Sequence, residues 1–153
     1  MKEMKVQPIK NGTVIDHIPQ GMALRVLRIL NVDERIGSTV SVLMHVHSQK
    51  HGLKDVVKIE DRELKPKEVD KISLIAPNAT INIIRNYIVA EKYVVKVPDE
   101  VHGIVRCTNL SCISNDPKEC VEPRFITISK KPIILKCKYC EREIEDVASQ
   151  III

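Results

Sequence analysis

The chain has 153 residues, 44% of them hydrophobic and 29% charged, with a net charge of +4. That supports a packed core under a charged, water-facing surface, in one ordinary domain or two small ones. No run approaches the roughly 18 apolar residues of a membrane span, and Lys2, Glu3 and Lys5 interrupt the N-terminus where a secretory signal would need an apolar stretch. No membrane partner and a cytoplasmic location are expected.

Residues 4–10 and 13–17 read as extended pieces around the turn signal Asn11-Gly12. Pro19 suits the first turn of a helix, and Met22, Val26, Leu27, Ile29 and Leu30 supply its apolar positions. The stretch 38–48 alternates as a strand, with Val40, Val42, Met44 and Val46 on one face and Ser41, Leu43, His45 and His47 on the other. A second strand is expected at 52–60. A helix follows over 65–77, opened by Pro66, striped by Val69, Ile72 and Ile75, and stopped by Pro77. Segments 79–86 and 87–98 read as two more strands. The order β-α-β-β-α-β predicts an α+β class: an antiparallel sheet with both helices on one face, a ferredoxin-like α/β sandwich.

Composition changes at 98–103, "PDEVHG", which is expected to be a linker between domains 1–98 and 99–153. All five cysteines, Cys107, Cys112, Cys120, Cys137 and Cys140, follow it. An odd number without a signal peptide argues against a disulfide framework. The second domain has only short strand-like runs, at 103–107, 124–129, 133–137 and 142–146. About fifty residues bury too little apolar surface to fold readily alone, so a small all-β domain of zinc-ribbon type, stapled by metal, is expected.

The spacing supports that. Cys107-x4-Cys112 and Cys137-x2-Cys140 are two knuckles able to close a tetrahedral four-thiolate site. Such a site leaves no position for an activated water, so it is structural. Iron accepts the same ligands as zinc. A redox Cys-x-x-Cys would need a βαβ setting that is missing here. Cys120 is read as a non-ligand in the connecting loop.

The basic excess lies in the first domain, with 16 Lys/Arg against 11 Asp/Glu, whereas the second carries a net −1 before metal binding. A zinc module of that charge with few aromatics suits protein docking rather than nucleic acid. A zinc-ribbon nucleic-acid binder is the alternative. On the strand at 52–60, Lys54, Val56 and Lys58 share a face, and as point charges the two lysines suit separate phosphate groups. Lys92 is a third cation. Asp16 and His17 interrupt an apolar stretch and offer an acceptor for ribose and a donor for phosphate; Ile84 and Tyr87 are placed to border a base. A plain wet strand face, with Asp16 capping the following helix, fits the same pattern. No P-loop or G-x-G-x-x-G is present, which excludes those nucleotide-binding folds. No convincing nucleophile–base pair appears, and His45, His47 and His51 form at most a loose cluster.

"GTVIDHIP" (12–19), "LKDVVKIE" (53–60), "APNATINII" (76–84), "CTNLSCIS" (107–114) and "LKCKYCE" (135–141) occur in this order over nearly the whole chain. Together they resemble the regulatory chain of aspartate carbamoyltransferase. The resemblance implies a non-catalytic subunit of pyrimidine biosynthesis. It would bind CTP as feedback inhibitor and ATP as activator, with UTP a further candidate, and would form a regulatory dimer. A structural zinc, one per chain, would shape the domain that holds the catalytic chain. It assigns ribose and phosphate contacts to Asp16, His17, Lys54, Lys58 and Lys92, and base-side contacts to Ile9, Val14, Asn82, Ile84, Tyr87 and Val89. The zinc ligands would be Cys107, Cys112, Cys137 and Cys140.

Overall fold

A computed structural model describes residues 8–49 and 52–153. The first sheet is built from β1 (Gly12–Pro19), β2 (Val40–Ser48), β3 (Gly52–Glu60), β4 (Thr80–Arg85) and β5 (Ile88–Val94), with α1 (Ala23–Ile29) and α2 (Pro66–Ile75) between them. The strand order is β2-β3-β1-β4-β5, antiparallel throughout. This is the expected ferredoxin-like α+β arrangement with β5 added at one edge.

One face of the sheet is apolar because alternate strand residues are apolar. Ile15, Val57, Ile59, Ile81 and Ile83 are buried with Ala23, Val26 and Ile29 of α1 and Ile72 and Ile75 of α2 in one core. Each valine or isoleucine among them contributes about 1.5–3 kcal/mol on burial. The helix-covered face therefore supplies the stability, and the other face is free to carry polar residues. Gly12, at φ +144°, is required: a Cβ there would lie 2.1 Å from the Ile59 carbonyl oxygen.

Three expectations for the first sheet need correction. Pro19 ends β1 instead of opening α1, which starts at Ala23. The Asp55 carboxylate accepts from the Ala23 N–H at 2.9 Å, doing what a capping side chain on Met22 would have done. α2 does open on Pro66, and Glu68 accepts from the Lys65 N–H at 3.0 Å. Secondly, Pro8 to Lys10 lie outside any strand, and 4–7 are outside the described residues. Thirdly, the alternation of β2 breaks. An extra residue between Leu43 and Val46, with His45 at φ 59°, moves Val46 to the face opposite Val40 and Val42. β1 carries a matching bulge between Ile15 and Ile18, with His17 at φ 58°.

The second sheet has order β6-β7-β8-β9, from β6 (Glu100–His102), β7 (Arg124–Lys130), β8 (Ile133–Cys137) and β9 (Glu143–Ile144). Its core is small: Val101, Ile104, Val105, Phe125, Leu135, Ile144, Val147 and Ile151. The stretch 98–103 is not a free linker. β6 falls inside it, and Thr127 donates to the carbonyls of Pro98 (2.6 Å) and Asp99 (2.8 Å). The run 103–107 forms no strand, but Val105 makes a bridge with Ile151. That bridge seats the isoleucine-rich end on its own chain: Ile151 is buried, and the Ile152 carbonyl accepts from Lys71 Nζ of α2 at 2.7 Å. Among the described residues no helix is long and apolar enough to cross a membrane.

Candidate functional site

The four knuckle cysteines converge. The Sγ atoms of Cys107, Cys112, Cys137 and Cys140 all lie within 4.8 Å of one another. Cys107 and Cys140 are 3.6 Å apart, and Cys112 and Cys137 are 3.7 Å apart. A tetrahedron with Zn–S of about 2.3 Å has sulfur–sulfur edges of about 3.8 Å, so the spacing suits zinc. The loops are held by backbone contacts. Asn115 Nδ2 donates to the carbonyls of Cys107 (3.0 Å) and Asn109 (2.7 Å), and the Cys137 N–H donates to the Arg142 carbonyl (2.9 Å). Burial pushes the Cys107 thiol up to about 12 and that of Cys137 upward as well. At Cys140 burial also raises the pKa. The Arg142 amide, the Asn109 side chain and the neighbouring thiols outweigh it and lower the value to about 7. Buried thiols of this kind ionise together only beside a cation, which a divalent metal supplies. The four residues fit a structural zinc ion with no open position. Cys120 is exposed, at φ 49°, and is not in the cluster.

The open face of the first sheet gathers the other candidates. Directly paired residues of neighbouring strands share a face. Lys58 pairs with Val14, Val14 with Asn82, and Asn82 with Lys92. These four therefore form one row across β3, β1, β4 and β5. The next row towards the β4–β5 turn carries Gly12, Ile84 and Val89. Tyr87, at φ 66°, forms that turn beside Asn86, and its N–H donates to the Lys10 carbonyl at 2.9 Å, next to Ile9. The row on the other side pairs Asp16 with Thr80.

At that end Lys54 Nζ lies 2.8 Å from Asp16 Oδ1, and the His17 N–H donates to the same oxygen at 2.7 Å. Burial raises the Asp16 pKa, but the Lys54 ammonium and the His17 amide outweigh it, and the net direction is down. His17 Nδ1 is 3.1 Å from Thr80 Oγ1. A cleft of about 570 Å³ adjoins this corner, lined by His17, Gln20, Ser48, Lys54, Asn78 and Thr80 among others. Thr80 was missed in the sequence, although its alternation with Asn82 and Ile84 places it on the same face. His45 and His47 are exposed and join no metal cluster among the described residues; His51 lies outside them.

Both halves match known families. Residues 4–96 match the family model "Aspartate carbamoyltransferase regulatory chain, allosteric domain", and residues 99–149 match "Aspartate carbamoyltransferase regulatory chain, metal binding domain". The chain belongs to the aspartate carbamoyltransferase regulatory chain family. Similar regulatory chains include one from Methanothrix thermoacetophila, 54% identical over 95% of this chain and 94% of that one. One from Saccharolobus solfataricus is 55% identical over 98% and 95%, and one from Methanothermobacter thermautotrophicus is 56% identical over 94% and 90%. As a regulatory chain it is a non-catalytic subunit with an allosteric and a metal-binding domain, in pyrimidine biosynthesis. The sheet-face cluster lies within the allosteric match and the four cysteines within the metal-binding match.

Proposed function

We propose that residues 1–98 form the effector domain, which binds CTP and ATP on the open sheet face, and that residues 99–153 dock the catalytic chain. The row Lys58–Val14–Asn82–Lys92 carries this reading, because it sets two fixed cations on one surface with an amide and an apolar floor between them. Phosphates take the lysines as point charges. Asp16 is an acceptor for ribose hydroxyls, and Ile9, Ile84, Tyr87 and Val89 border the base. CTP inhibits and ATP activates in so far as each prefers a different state of the assembly; UTP is a further ligand of the same chemistry. The assembly works in the cytoplasm.

Exposed apolar side chains at the first cysteine knuckle support the docking role. Leu110 is 87% exposed and Ile113 44%, both beside Cys112. The nucleic-acid alternative has no comparable support. Calorimetric titration of CTP and ATP into the full chain is the direct test. Saturable binding of both, with the nucleotides recovered unhydrolysed, is expected. Absence of binding, or turnover of the nucleotide, overturns the reading.

A second copy of the chain is the partner proposed for β5. All seven of its residues are exposed, including Ile88, Val89, Tyr93 and Val94, and its outer edge pairs with no strand among the described residues. Such an edge is a template for strand addition. Val94→Lys should convert a dimer to monomers in sedimentation velocity at micromolar concentration. A wild type that is already monomeric, or a variant that stays dimeric, excludes this edge.

A further inference from the structure

Asp55 is fully buried, and the effector reading above gives it no role. Its neighbour Lys54 points to the open face and pairs with Asp16. Consecutive strand residues point to opposite sides, so Asp55 turns in under α1. Oδ2 accepts from the Ala23 N–H at 2.9 Å and Oδ1 from the His45 N–H at 3.0 Å. Burying a carboxylate is costly unless it is hydrogen-bonded, and here both bonds go to backbone on either side of β3.

Those bonds fall where the sheet is irregular. β3 lies between β2 and β1, and both neighbours bulge opposite Val56–Asp55. The β1 bulge contains Asp16 and His17, the β2 bulge contains His45, and Ala23 starts the helix that follows β1. One carboxylate therefore ties down the chain just after the His17 bulge and, within the other, His45. Lys54 leaves the backbone at the adjacent residue. Bulges commonly re-aim side chains at functional sites, and the β1 bulge brings Asp16 and His17 to the corner where Lys54 of β3 stands.

We infer that Asp55 is a positioning residue for the phosphate end of the effector site, acting through the two bulges on His17 and Lys54. The inference rests on the nucleotide reading above and deepens it. An amide in its place keeps one acceptor oxygen but turns N–H groups towards an N–H.

The test compares CTP with cytidine, which lacks the phosphates, by calorimetry on the full chain well below its melting temperature. Asp55→Asn should weaken CTP by about tenfold and cytidine by less than about twofold. A general loosening would weaken both alike. Equal loss for the two ligands, or no loss for either, overturns the inference. Wild-type chain supplies a measurement that needs no variant. If the bonds to Asp55 favour CTP binding, CTP must by reciprocity strengthen them. Hydrogen exchange at the Ala23 and His45 amides should then slow with CTP and not with cytidine; unchanged exchange with CTP overturns it. Wild type that binds neither CTP nor ATP overturns the nucleotide reading itself, an outcome distinct from these.

Discussion

Cys137→Ser should strip the chain of zinc, unfold the second sheet and abolish association with the catalytic chain. Cys137 closes β8 and brings its sulfur to 3.7 Å from that of Cys112, so its loss opens the tetrahedron where the second knuckle meets the first. The apolar core around it is small: Val101, Ile104, Val105, Phe125, Leu135, Ile144, Val147 and Ile151. Structural zinc contributes about 10–16 kcal/mol to small folds of this kind, comparable with the whole stability of a typical domain, about 5–15 kcal/mol. Zinc content by atomic emission should fall from about one per chain to near zero. Strong chelation should have the same effect, while Cys120→Ser, outside the cluster, should leave zinc and assembly unchanged. Assembly of Cys137→Ser at wild-type strength would show that the docking surface does not depend on the metal.

Lys92→Ala should weaken CTP and ATP by roughly 10- to 100-fold, the cost of losing about one to two charge-assisted contacts. Lys92 stands on the exposed outer strand and makes no ion pair with any described residue. Its removal should therefore change folding stability by less than about 0.5 kcal/mol. That separation matters: Lys58 pairs with Val14 at the centre of the sheet, and its variants mix binding with packing. Calorimetry and thermal melting on the same samples read both quantities. An affinity within about twofold of wild type would remove Lys92 from the phosphate end.

Much of this was legible in one dimension because the determining contacts are local or periodic. Alternation in 52–60 put Lys54 and Lys58 on one face, and β3 has that alternation. Knuckle spacing selected the four metal ligands out of five cysteines, since each pair needs only a short loop to aim both sulfurs the same way. The Asn82 and Lys92 pairing was not readable, because the β4–β5 register depends on the extra residue in β5. Lys92 stood out as a third cation but without its place in the row, and Asn82 came from the resemblance alone.

The amino-acid sequence by itself determined which residues are polar on an otherwise apolar strand, which thiols come in pairs, and therefore the class of fold and the need for a metal. Tertiary structure alone decided where strands bulge and what holds the bulges. His17, His45 and Asp55 illustrate it: a bulge is an agreement between two strands about register, and the carboxylate that bonds one bulge and the helix start beyond the other takes its donors from 10 and 32 residues away. The isoleucine-rich end is the same case. Nothing local distinguishes a fraying tail from one that bridges Val105 and accepts from Lys71. Only the approach of α2 to the C-terminal segment brings that partner within reach.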